Sequence, residues 1–126
     1  MQLPSESARP LHPRRALIVE RQRLLVPFLK HIAEGAGLAE VVAYRTASPR
    51  TLHRVRPDVV LIGIDGPGAR PLELIRRTRR EMPTARIVVI TRSDDPAWSA
   101  LAQALGADVV LGPRADRHDL CTALTV

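Results

Sequence analysis

Apolar positions fall along this chain in two alternating rhythms. Short runs carry the β-branched residues: Arg15–Glu20 (RALIVE), Glu40–Arg45 (EVVAYR), Val59–Ile64 (VVLIGI), Arg86–Thr91 (RIVVIT) and Asp108–Leu111 (DVVL). Apolar runs of this length suit strands of a parallel sheet covered on both faces. Between the runs the apolar residues spread out to helical spacing. Leu24, Leu25, Phe28, Leu29 and Ile32 mark the first such segment, and Gly35 and Gly37 close it. Pro27 falls within its first turns, where a missing N–H costs least.

Capping residues place the other helices. Ser48 is a candidate N-cap with Pro49 at the first helical position, and that short helix must end before Pro57. A third helix is predicted over Pro71–Met82, with Leu72, Ile75 and Met82 on one side and Pro83 as its stop. Ser93-Asp94-Asp95-Pro96 predicts the start of a fourth helix, Ala97–Leu105, which ends at Gly106. A fifth runs from about Asp116 to Leu124. Five strands alternating with five helices imply an α/β fold with a parallel sheet between two helical layers. Right-handed crossovers leave few topologies, and a doubly wound (βα)5 sheet of order 2-1-3-4-5 is the expected one. Residues 1–14, with three prolines and little apolar content, are expected to be a flexible leader, and 15–126 a single domain.

Composition narrows the function classes. Hydrophobic content is 45%, with no apolar run long enough to span a bilayer and no signal-peptide core in MQLPSESARPLHPRR. The single Cys121 excludes an internal disulfide and a cysteine-cluster metal site, which suits a cytoplasmic location. His12, His31, His53 and His118 lie on different elements without metal-ligand spacing, so no metal or cofactor is expected. GAGLAE at Gly35–Glu40 follows a helix and precedes a strand, the wrong context for a dinucleotide loop. The net charge of +6 is nearly all arginine, with Lys30 the only lysine, a bias that suits a GC-rich coding sequence. Aromatic content of 2% provides no stacking platform, and no recognition helix is visible. Specific DNA binding by this domain alone is therefore not expected. The run Arg76, Arg77, Arg79 and Arg80 is read as a solvated face with Glu73 pairing Arg77, or else as a surface for an acidic partner.

The stretch PDVVLIGIDGPG, Pro57 to Gly68, carries the sharpest signal. In open α/β sheets chemistry gathers past the carboxyl ends of the strands. Receiver domains of bacterial response regulators have a Pro-Asp, four apolar residues, a phosphoaccepting Asp and a Pro four residues later. Pro57, Asp58, Val59–Ile62 and Pro67 match that pattern, and Gly63 stands at the phosphoacceptor position. Further on, PLELIRRTRREMPTARIVVIT and DDPAWSALAQALGADVVLG resemble the third helix to fourth strand and the fourth helix to fifth strand of NarL/LuxR-type receivers. The resemblance covers about Arg15–Leu124 and implies the flavodoxin-like receiver fold.

It also implies where the family's phosphorylation machinery would lie. Glu20 matches the first acidic residue of the metal-binding pair, but Arg21 replaces the second. Thr91 matches the switch hydroxyl; Arg92 replaces the small residue after it. Val110 stands at the aromatic switch position and Pro113 at the phosphate-pairing lysine. An arginine in place of a carboxylate ligand reverses the charge offered to magnesium, and without an Asp at position 63 there is no nucleophile. The expectation is a non-enzymatic, phosphorylation-independent pseudo-receiver. It would act as a regulatory dimerisation or protein-interaction module in signal transduction or transcription control, alongside a DNA-binding output domain or another regulator. Trp98, Leu101, Ala104 and Leu105 are its candidate homodimer face. A small-molecule sensor is the alternative, with a pocket lined by Gly63, Thr91, Arg21 and Arg92 for an anionic or polar ligand. A working receiver that uses Asp65 is the reading the residues most oppose. Asp65 is otherwise a turn residue or an ion-pair partner of Arg21.

Overall fold

The computed structural model describes residues 14–65 and 69–125. The leader expected over residues 1–14 lies outside them except for Arg14, as do Gly66, Pro67 and Gly68 of the strand-loop motif. The strands are β1 (Arg15–Val19), β2 (Glu40–Tyr44), β3 (Val59–Ile64), β4 (Arg86–Thr91) and β5 (Val109–Leu111). The helices between them are α1 (Val26–Gly35), α2 (Pro49–Val55), α3 (Ala69–Glu81), α4 (Pro96–Leu105) and α5 (Arg117–Thr125). All strand pairs are parallel and the sheet order is β2-β1-β3-β4-β5, the expected doubly wound topology. Among the described residues no helix is long and apolar enough to cross a membrane.

Strand alternation divides the core in two. Leu17, Val19, Val60, Ile62, Ile87 and Val89 face one way and bury Leu52 of α2, Ile75 of α3, and Trp98 and Ala102 of α4. Ala16, Ile18, Val59, Leu61 and Val88 face the other way and meet α1 and α5 through Leu29, Ile32, Leu120 and Leu124. A central strand with both faces covered has no room for a polar side chain, which is why β3 is apolar from Val59 to Ile62.

Local signals set the helix ends. The Ser48 hydroxyl accepts from the Thr51 N–H at 3.1 Å, with Pro49 next in line, as the N-cap pattern requires. Asp95 caps α4 by accepting from the Ala97 N–H at 3.0 Å, so the cap lies at the end of the Ser93–Pro96 group. The start of α1 departs from its apolar pattern. Arg23–Leu25 form a single 3-10 turn, Leu24 is 93% exposed and Phe28 52%, and only Leu29, Ile32 and Ala33 reach the sheet. The tighter turn before Pro27 rotates Leu24 off the buried stripe.

Candidate functional site

The alternation that builds the core also builds the site. Ala16 and Ile18 face α1 and α5, and the next residue in that series is Glu20. On β3 the corresponding series is Val59, Leu61 and Gly63. Val19 pairs with Ile62, and one more step along this register sets Glu20 beside Gly63. Glu20 is only 6% exposed. One carboxylate oxygen accepts the Gln22 backbone N–H at 3.0 Å, and the other reaches the space a side chain at Gly63 would fill. A Cβ on Gly63 would collide with that oxygen and lie 2.9 Å from the Glu20 Cδ. The absent side chain at 63 and the inward carboxylate at 20 are two halves of one packing solution.

The neighbouring candidates divide between two locations. Asp65 accepts from the Gln22 side-chain amide at 2.8 Å, so Gln22 takes the place expected of Arg21, whose side chain is exposed. Gln22 was missed in the sequence because an uncharged residue in a loop carries no local signal. Thr91 is buried, and its hydroxyl accepts from the Ser93 N–H at 3.0 Å in a short side-chain turn. Arg92 and Pro113 are exposed on the loops after β4 and β5. Val110 is half-buried against the α2–α4 core.

A cavity of about 820 Å³ opens on the α2–α3 side, lined by Gly63, Asp65 and Arg21 together with Arg45, Thr46, Arg70 and Arg77. Neither Thr91 nor Arg92 lines it, which corrects the pocket drawn from the sequence. They follow β4, whereas the cavity lies over β2, β1 and β3. Among the described residues no group of three or more histidine, cysteine or carboxylate side chains is placed to hold a metal.

Two further expectations are revised. Trp98 is 7% exposed and packs into the core, so it cannot share one surface with Leu101, which is 48% exposed. A spacing of three on α4 leaves them about 60° apart around the helix; the sheet takes the Trp98 side and Leu101 falls at the exposed edge of the buried stripe. Ala104 is exposed beside Leu101's side of the helix, while Leu105 is packed against the core. On α3, Glu73 meets Arg76 at 3.4 Å rather than Arg77, which donates to the Ala47 carbonyl at 3.3 Å. Arg79 is not a solvated residue. Its guanidinium donates to the carbonyls of Met82, Pro83, Ala85 and Gly106 and to the Asp108 carboxylate.

No protein-family model matches the chain, and no curated protein matches it in sequence. Solved structures match it closely in fold. A CheY-like response regulator receiver domain protein from Methanospirillum hungatei superposes with a TM-score of 0.72 at 23% identity, covering 88% of this chain and 90% of that one. A LuxR-family DNA-binding response regulator from Staphylococcus aureus gives 0.72 at 18%, covering 88% and 95%. A putative pilus assembly-related protein from Burkholderia pseudomallei gives 0.75 at 17%, covering 92% of each chain. The fold is that of a CheY-like receiver domain.

Proposed function

We propose that this chain is a receiver-like regulatory module that works without phosphorylation, in signal transduction or transcription control. The observation that carries the reading is the Glu20 carboxylate turned into the space beside Gly63. Phosphoryl transfer to a carboxylate needs a nucleophile, a cation to neutralise charge and a cationic partner for the transferred group. At the positions the resemblance assigns to these tasks stand Gly63, Arg21 and Pro113. Glu20, the acidic residue that remains, accepts the Gln22 N–H and fills the space of the missing side chain.

Such a module acts through protein contacts and not through catalysis. Self-association is then constitutive, with Leu101 and Ala104 as the exposed apolar positions of α4. The fold's occurrence in a DNA-binding response regulator supports an output module of that kind, in the same polypeptide or in a partner.

Intact mass after incubation with acetyl phosphate and magnesium tests the reading. The expected result is no phosphoryl adduct on the protein or on its Gly63→Asp variant, in which the new carboxylate must compete with Glu20 for space. Stoichiometric labelling mapped to Asp65 would overturn it.

A further inference from the structure

The arginine-lined cavity opens on the α2–α3 face of β1 and β3 and adjoins the degenerate site through Gly63, Arg21 and Asp65, while Arg45, Arg70 and Arg77 have no part in the phosphorylation reading. Its four arginines come from three separate parts of the chain. Arg21 follows β1, Arg45 follows β2, and Arg70 and Arg77 lie on α3. Arg77 is half-buried and held by the Ala47 carbonyl at 3.3 Å, which fixes one guanidinium at the cavity wall. Arg21, Arg45 and Arg70 are exposed, and no ion pair holds any of them among the described residues.

The cavity also has two carboxylates, and both are engaged by residues outside its lining. Gln22 donates to Asp65, and Arg76 pairs with Glu73. Four arginines and two carboxylates therefore line the cavity, an excess of positive charge. The floor is apolar, formed by Val19, Ile62 and Leu74. Guanidinium groups gathered in one concavity repel one another, and a bound polyanion relieves that repulsion through paired N–H donors. The volume of about 820 Å³ lies within the range of sites that enclose a small molecule.

We infer that this cavity binds a phosphorylated small molecule carrying at least two negative charges and a flat ring system, of the nucleoside diphosphate class. The arginines take the phosphates, and the strand floor takes the ring system. This goes beyond the proposed function and does not depend on it, because a phosphorylatable protein could hold the same ligand.

Calorimetric titration tests it, with ADP, pyrophosphate and adenosine as probes at near-physiological salt. Two double variants accompany the wild type: Arg45→Gln with Arg70→Gln in the cavity, and Arg50→Gln with Arg114→Gln as an equal loss of exposed charge elsewhere. ADP and pyrophosphate are expected to bind, and adenosine not to. The cavity variant should weaken ADP binding about tenfold or more while the control pair leaves it unchanged. Circular dichroism confirms that both variants keep the fold. Absence of ADP and pyrophosphate binding overturns the inference, as does equal weakening in the two variants. Displacement of ADP by a short duplex oligonucleotide at equimolar concentration would reassign the face to nucleic acid and overturn it as well.

Discussion

The two ends of the sheet use the same residue types for opposite purposes. At the N-terminal end the charged side chains beside the strands are engaged with backbone. Asp58 accepts from the Arg15 N–H at 2.8 Å, and Asp108 accepts from the Ile87 N–H at 2.8 Å. Arg86 donates to the Ala123 carbonyl at 2.6 Å, and Arg79 ties the end of α3 to Ala85, just before β4, and to the α4–β5 turn. At the C-terminal end Arg21, Arg45 and Arg70 reach into open space around a cavity. An arginine whose N–H groups are spent on carbonyls holds the fold, whereas one whose N–H groups face solvent is available to a ligand. Composition alone does not separate the two, since both ends contribute to one net charge of +6.

The sharpest way to break this comparison is to remove one arginine from each end. Arg79→Ala leaves several carbonyls and the Asp108 carboxylate without their donor, and should cost about 3 kcal/mol in urea unfolding. Arg70→Ala should change stability by less than about 0.5 kcal/mol. Similar losses for the two would mean that the C-terminal arginines are structural after all.

The packing of Glu20 against Gly63 gives the next largest effect. Gly63→Ala pushes the carboxylate off the Gln22 N–H and should cost about 2 kcal/mol. In a Glu20→Ala background the same change should fall to near zero, because the Cβ then enters vacated space. Additive losses in this cycle would show that the Glu20 carboxylate does not fill the space beside Gly63.

The smallest effect sharpens the picture of the N-terminal end. Arg56 ends α2 with φ +52°, a left-handed conformation that favours glycine. Its side chain, unlike that of Arg79, is exposed. Arg56→Gly should therefore raise stability by about 0.5 kcal/mol, the relief of strain outweighing the added freedom of the unfolded chain. A loss in place of this gain, read from the thermal midpoint, would mean that the Arg56 side chain also supports that end of the sheet.

Pattern was enough for the architecture. The five apolar runs, the Ser48-Pro49 cap and the stops at Pro83 and Gly106 all act through near neighbours in the chain, and the strands and helices they imply are those observed, the start of α1 excepted. The glycine at position 63, where the resemblance calls for an aspartate, was equally legible, since a residue's identity needs no geometry. Tertiary structure decided the rest. Which side of α4 turns inward depends on the sheet beneath it, and so Trp98 is buried and Leu101 is not. Gln22 meets Asp65 only because β1 and β3 are adjacent strands, 43 residues apart in sequence at that contact. The same adjacency brings the Glu20 carboxylate into the space beside Gly63, and the order of β2, β1 and β3 gathers arginines from three distant segments around one cavity. Contacts across neighbouring parallel strands join residues separated by a full crossover, so no local pattern in the chain encodes them.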